Sequence, residues 1–456
     1  MDVRCANLDL LRREHRLFLV PEAEAALLAS LGRDWKEVHF SDRPHVLTVY
    51  LESDEHDVPF GTSVKLRQFL PAAPRKPAAV WDEPFRFEVK GTRRESERQK
   101  TAPRFLSIER AVREARRQFS ITPLRPYLAV GYERRHFVPL DGSPLRFTVD
   151  RDVRYWYLTG NGVEAVSLGE ERLLRLEIKA PVADGSDLPV LAALRAVLAD
   201  AGALPINSKR NEGFARIGQY LEDRFGSGVE HDLPGYEIEA KLLVRADDPT
   251  HVFRFLRACM SHDTRPLCLT PSFPFTIDAE AVNQYWAEGV GGRPVEGLKL
   301  LLRGDHFGTV QKSETMVLDR TYGIVRRREV KTPAIPYTPA AYRAALDGWL
   351  AAAVAPRFAG YLVRWRRAVW PVEISSQRVY HVSLDRCVSA GRTPLWQVEI
   401  EYVGRLAGGA PSPDLEAAAV GDIRHLVRRL LERANRKGRG WLEPTTLTKF
   451  AWLLGP

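Results

Sequence analysis

Short segments in which charged and apolar residues alternate recur along the whole chain, and within each one the charges keep to a single parity. "SVKLRQFL" places Lys65 and Arg67 on one strand face, and "FRFEVKG" does the same with Glu88 and Lys90. "LRFTVDR" aligns Arg146, Thr148 and Asp150, "LLRLEIKAP" aligns Arg175, Glu177 and Lys179, and "YEIEAKLLV" aligns Glu237, Glu239 and Lys241. The opposite faces carry Val, Leu, Ile and Phe, the period-two pattern of β-strands. One charged face is ordinarily the wet side of a sheet. Repeated in strand after strand, with helices available to cover the apolar faces, it predicts charges that point inward, as in a closed barrel with a charged lumen.

Such a lumen constrains its contents. Converging Lys and Arg side chains repel one another, and buried charge is tolerated only when paired. A polyphosphate would relieve the repulsion, with arginine gripping its oxygens bidentately. Carboxylates among bound phosphates then call for a divalent cation between them. The net charge of +9, from 67 Lys+Arg against 58 Asp+Glu, agrees with a polyanionic partner. Basic residues mostly alternate with apolar ones instead of forming long blocks, which favours a phosphate-rich small molecule over nucleic acid. The exceptions, "RRESERQK" near Arg93 and "RANRKGRG" near Arg433, read as solvated loops or helix ends.

At 456 residues the chain is too long for one core and predicts two or three domains. An apolar content of 45% is that of a globular protein, and no apolar run reaches the ~18–20 residues of a membrane span. The N-terminal stretch lacks the apolar core of a secretory signal. The four cysteines, Cys5, Cys259, Cys268 and Cys387, form no CxxC pair, and the eleven histidines include no HExxH. A reducing cytoplasm is the simplest setting for that inventory.

Four segments read as helices: "PEAEAALLASLG" from Pro21, and the stretches at 188–202, 338–354 and 422–438. Strands dominate the remainder, so the fold class is α+β, with two tandem antiparallel eight-stranded β-barrel domains and flanking helices. The turn-rich stretch 222–233 is the expected linker between domains at 8–221 and 234–454. "GVGGRP" at 289–294 reads as a loop. The halves repeat one programme. Glu14 to Lys90 spans 90 − 14 = 76 residues and Glu239 to Lys312 spans 312 − 239 = 73. Glu14 to Glu177 spans 163 and Glu239 to Glu401 spans 162, and each half closes on a lysine after a hydroxyl residue, Lys209 and Lys449.

Glu237-Ile-Glu239-Ala-Lys241 resembles the ExExK signature that opens the CYTH superfamily, the triphosphate tunnel metalloenzymes, and "LWQVEIEYVG" resembles a late strand of that family. The first half is similar to the polymerase domain of the vacuolar transporter chaperone (VTC) branch, with "RREHRLFL", "SVKLRQFL", "FRFEVKG", "VGYERRHF", "LRFTVDRDV", "LLRLEIKAP" and "NSKRNEGF" in that family's order. The first half departs from ExExK, with Arg12, Glu14 and Arg16 on the corresponding face.

The resemblance implies a tunnel that binds a triphosphate unit with Mg2+ or Mn2+. It implies catalytic roles in the first half for Lys65, Arg67, Lys90, Arg134, Arg146, Glu177 and Lys209, with Glu14 and Glu177 toward the metal. In the second half it implies substrate binding by Lys241, Lys299, Arg303, Lys312, Arg327, Arg364, Arg366 and Lys449, and metal contacts from Glu237, Glu239, Glu399 and Glu401. In "VRRREVK" and "VRWRRAV" adjacent arginines leave the strand register open. The leading expectation is a VTC-like polyphosphate polymerase using a nucleoside triphosphate such as ATP. The alternatives are an inorganic tripolyphosphatase, a nucleoside triphosphatase or a cyclase, and, from a different class, a non-catalytic polyanion-binding module in one or both barrels.

Overall fold

The structure, a computed structural model, describes residues 12–455 except 33, 40–41, 60, 75–76, 78–80, 82–83, 95–96, 101–103, 122, 163, 182–188, 226–227, 246–249, 263–265, 271–272, 274, 291–292, 304, 390–391, 410–412 and 437–439. Side chains at 12–13, 92–94, 97–100, 161, 181, 250, 262, 290 and 293–294 are also outside the description. Cys5 and the expected start of the first domain therefore lie beyond it. The chain divides into two units between Ile217 and Gly218.

The first unit is built on β1 (Arg12–Leu19), β2 (His45–Glu52), β3 (Ser63–Leu70), β4 (Phe85–Arg94), β5 (Glu97–Lys100), β6 (Arg125–Pro139), β7 (Arg146–Thr159) and β8 (Leu174–Pro181). They pair antiparallel in the order β8-β1-β5-β4-β3-β2-β6-β7, with β7 also on β8. The β1–β5 seam consists of two residue pairs, Arg12↔Arg98 and Arg13↔Glu97, because β5 is only four residues long. "RRESERQK", expected as loop, is the hairpin that supplies this seam. The sheet of the first unit is thus not closed by full ladders, and the expected pair of barrels is realised as one closed barrel.

That barrel is in the second unit. Its strands are β9 (Tyr236–Val244), β10 (Ile277–Val290), β11 (Arg293–Arg303), β12 (His306–Asp319), β13 (Ile324–Lys331), β14 (Arg357–Val369), β15 (Arg378–Val388) and β16 (Leu395–Leu406). They run β9-β13-β12-β11-β10-β14-β15-β16, and β16 returns to β9, so no edge is left among them.

Eight helices occur among the described residues: α1 (Glu24–Leu31), α2 (Ile108–Phe119), α3 (Pro189–Asp200), α4 (Lys209–Phe225), α5 (Thr250–His262), α6 (Pro339–Leu350), α7 (Leu415–Arg436) and α8 (Lys449–Leu454). None is long and apolar enough to cross a membrane. They lie on the apolar strand faces, as the alternation requires. Leu27 and Leu31 of α1 and Leu191, Leu194 and Leu198 of α3 pack with Phe147, Val149, Leu176 and Ile178 of β7 and β8. Ala111, Val112 and Ala115 of α2 belong to a core with Leu47, Val49, Leu66 and Phe87. In the second unit Ile423, Leu426, Val427 and Leu430 form the buried face of α7, which lies against β9 and β16. Each fully buried aliphatic side chain contributes about 1.5–3 kcal/mol, so these faces keep the charged parity turned inward.

α2, α4, α5 and α8 were not expected as helices. α2, "IERAVREARRQF", has an apolar stripe of Ala111, Val112 and Ala115, flanked by the partly buried Ile108 and Phe119, among many charges, and is started by Ser107, whose hydroxyl accepts from the Arg110 amide at 3.4 Å. The segment 222–233 opens in the last turn of α4, and "GVGGRP" falls at the β10–β11 hairpin.

Candidate functional site

The inward parity of the second barrel converges on a cavity of about 300 Å3. Nine cationic side chains line it: Lys241, Lys299, Arg303, Lys312, Arg327, Lys331, Arg364, Arg366 and Lys449. Six glutamates face them, Glu237, Glu239, Glu296, Glu329, Glu399 and Glu401. All eight cations expected from the sequence are therefore brought together, as are the four glutamates. The open registers resolve on ion pairs. Arg327 points inward, 3.6 Å from Glu239, whereas Arg326 pairs with Glu416 and Arg328 with Glu314. Arg364 and Arg366 line the cavity, while Arg367 pairs with Asp278 at 3.1 Å.

Three carboxylates form a distinct group. Glu237, Glu329 and Glu401 each offer an oxygen within 4.8 Å of the others. Three hard oxygen donors at this spacing suit Mg2+ or Mn2+. Burial, then the neighbouring Glu239, pushes the Glu237 carboxyl up to about 7, the direction like charges impose when no cation separates them. Lys312 occupies part of that role, 2.5 Å from Glu237 and 3.2 Å from Glu329, and Glu401 has no hydrogen bond or ion pair. Burial opposes ionisation of Glu329, but Lys312 and Lys331 outweigh it and bring its carboxyl to about 2. The remaining two expected metal contacts are engaged by cations. Glu239 pairs with Lys241, and Glu399 is held by Arg366 and Lys449.

The cations differ in how well they are neutralised. Arg366 makes a bidentate contact with Asp385, at 2.6 and 2.7 Å, and Lys449 reaches the same aspartate at 2.8 Å. Lys449 is placed there by the start of α8, where the Thr448 hydroxyl accepts from the Ala451 amide at 2.9 Å. By contrast Lys299 and Arg364 make no hydrogen bond or ion pair with the described residues, and among these the buried Nε of Arg364 has no acceptor. Burial, then Lys312, depresses the Lys299 ammonium to about 7. These two groups have unmet demand for an anion.

The first unit gathers its predicted residues too. Lys90 contacts Glu14 at 2.6 Å, Arg16 contacts Glu14 at 2.7 Å, and Lys65 lies 3.3 Å from Glu88. Arg134 grips Asp150 at 2.5 and 2.6 Å, and Lys209 also reaches Asp150. The Ser208 hydroxyl accepts from the Asn211 amide at 3.1 Å and starts α4, as Thr448 starts α8. Glu177 pairs with Lys179 at 2.5 Å and stands 3.7 Å from Arg134. Arg146 shares the face of Asp150 opposite Lys179, and Arg67 makes no hydrogen bond or ion pair. Burial favours the neutral Tyr132 phenol, but Arg134, Arg67 and Lys209 outweigh it and pull its pKa down.

Register corrects the expected alignment of the halves. Arg16 is opposite Glu177 in the β1–β8 ladder, and Lys241 is opposite Glu399 in the β9–β16 ladder. Thr148 faces Glu177 as Ser383 faces Glu399, and Arg134–Asp150–Lys209 repeats as Arg366–Asp385–Lys449. Glu177 therefore corresponds to Glu399, two residues from the Glu401 that linear spacing suggested. Spacing could not separate them, because Glu399 and Glu401 share a parity. Glu329, Glu296, Lys331 and Asp385 were missed. Glu329 and Lys331 follow Arg327 at steps of two in "VRRREVK", a signal hidden by the arginine run.

No protein-family model matches the sequence, and no curated protein matches it. Among solved structures the chain is similar to the PH1819 protein of Pyrococcus horikoshii OT3, at 16% identity and a TM-score of 0.30, over 48% of this chain and 98% of that one. It is also similar to the Pct1 RNA triphosphatase of S. pombe, solved with the Spt5 CTD (13% identity, TM-score 0.20) and alone (12%, 0.19). Those two likenesses each cover 52% of this chain and 95% of the other.

Proposed function

We propose that the second unit is a divalent-metal-dependent site for phosphoryl transfer on a triphosphate or short polyphosphate, with water as the acceptor. The observation that carries this reading is the juxtaposition in one cavity of the Glu237–Glu329–Glu401 group with the unneutralised Lys299 and Arg364. The three glutamates would hold Mg2+ or Mn2+, which when bound neutralises phosphate oxygens and favours ionisation of water. Lys299, Arg303 and Arg364 would grip the chain, and Arg327 and Lys312 would stabilise charge on the equatorial oxygens of the transferring group. Hydrolysis of tripolyphosphate breaks the terminal P–O bond, forms one P–O bond to water, and gives phosphate and pyrophosphate with the proton passing to solvent. Burial of these cations keeps competing water off them and sharpens their pull.

The polymerase expectation for the first half has less support. Its acceptor, an ionised phosphate, needs no base, but Glu177, the residue offered there for metal, is shared by Lys179, Arg134 and Arg16. The test is to incubate the full chain with Mn2+ and either tripolyphosphate or ATP and to size the products. Phosphate release lowered at least ten-fold by Arg364→Ala and by Glu329→Gln is expected. Growing polyphosphate ladders from ATP that vanish with Arg67→Ala and persist with Arg364→Ala would replace this reading with the polymerase.

A further inference from the structure

The correspondence between the units places a different residue set opposite the metal group. Glu401 is opposite Glu239, and the matching partner of Glu14 is Lys179. Glu237 precedes Glu239 by two, as Arg12 precedes Glu14, and Glu237 is opposite Arg327 as Arg12 is opposite Arg98. Glu329 is opposite Lys312, and the equivalent partner of Lys90 is Lys100. The three register positions that hold glutamates in the second unit thus hold Arg12, Lys100 and Lys179 in the first. Among the described residues no group of three metal-ligating side chains occurs in the first unit.

We infer that the first unit is a polyanion-binding site that works without a divalent cation, with lysine and arginine at the register positions where the other unit carries its three glutamates. Eight cations occupy its charged face (Arg16, Lys65, Arg67, Lys90, Arg134, Arg146, Lys179 and Lys209) against Glu14, Glu88, Asp150 and Glu177. Three of the carboxylates, Glu14, Asp150 and Glu177, are each held by two of these cations. Glu14 is held by Lys90 and Arg16, and Glu177 by Lys179 and Arg134, so a divalent ion would have to displace two cations to reach either. Arg67 has a buried Nε with no acceptor among the described residues and, with Arg134 and Lys209, makes the field that depresses the Tyr132 phenol. Burial first, and Arg67 after it, push the Lys65 ammonium down. A chain of phosphates would offset the excess of cations over carboxylates through charge-assisted hydrogen bonds alone.

The inference does not require the second unit to be catalytic. It is tested on the full chain by calorimetric titration with inorganic tripolyphosphate, in excess EDTA and in Mg2+. One binding event per chain is expected to survive EDTA, to weaken steeply with salt, to fall at least ten-fold with Arg67→Ala, and to be unchanged by Arg364→Ala. Arg67 has no ion-pair partner to strand, so that variant keeps the fold, and circular dichroism verifies it. Loss of all binding in EDTA, or residual binding that responds to Arg364→Ala instead of Arg67→Ala, would overturn the inference. A second, Mg2+-dependent event reports on the proposed function separately, and its absence leaves the EDTA-resistant event to be read as before.

Discussion

The two units share one ion-pair frame and differ in what that frame presents. In both, an aspartate on the seventh strand of the set clamps an arginine bidentately and holds the lysine that begins a helix: Asp150 with Arg134 and Lys209, and Asp385 with Arg366 and Lys449. Both aspartates are fully buried and held well below the ordinary carboxylate range, since their cations outweigh burial. The positions that differ lie two or more residues along the same parity, where the second unit has Glu237, Glu329 and Glu401 and the first has Arg12, Lys100 and Lys179 at the equivalent register positions. A strand face can therefore exchange its ligand chemistry without disturbing the pairs that hold strand to strand. Closure differs as well, with an eight-residue β13 in the second unit against a four-residue β5 in the first.

The largest expected effect tests the shared frame. Asp150→Ala and Asp385→Ala each remove a buried carboxylate shared by two cations, and each should cost ~3–5 kcal/mol in its own unit. Hydrogen exchange under increasing urea reads the units separately, and a cost confined to one of them would break the likeness. The charge environment gives the pH sign. Both carboxyls are depressed in the folded state, so this contribution is present above the unfolded value and is lost as pH falls toward the folded one.

The next test addresses the difference. Glu401→Gln or Glu329→Gln should weaken Mn2+ binding by about a hundred-fold or more, because even residues outside the coordination shell are commonly worth ~10–100-fold. Electron paramagnetic resonance counts bound Mn2+ directly. An unchanged titration would remove the metal from the second unit and make the two sites alike.

The smallest effect concerns Lys299, whose ammonium burial and Lys312 depress to about 7. A phosphate ligand favours the charged form, so binding to the second unit is linked to proton uptake and should weaken roughly ten-fold from pH 6 to pH 8.5. Lys299→Arg keeps the charge throughout and should flatten that dependence, while titration of the ligand itself is common to both proteins. A slope identical in the variant would show that Lys299 stays protonated.

Much of the site was legible because period-two alternation is a local property. Lys65, Arg67 and Lys241 all occupy the face their parity predicted. α2 escaped because charged residues dominate its composition, although Ile108, Ala111, Val112, Ala115 and Phe119 keep to one face, and its Ser107 cap is one residue in a polar stretch. Glu329 escaped because "VRRREVK" permits two registers, and only pairing with β9 at Glu237↔Arg327 selects one.

The sequence by itself determined which side chains share a face, that the charged faces are too many and too alike to be mere solvated surface, and that each half ends in a capped lysine. Alternation, propensity and capping act over a few residues, so they are written locally. Tertiary structure alone decided that Glu177 matches Glu399, and that Glu237, Glu329 and Glu401 meet across strands β9, β13 and β16. It also decided which arginines are neutralised and which, like Arg67 and Arg364, remain open to an anion. Those outcomes depend on interstrand register. Register is set by whole ladders and by the packing of helices outside them, and a slip of two residues preserves every parity while changing every partner.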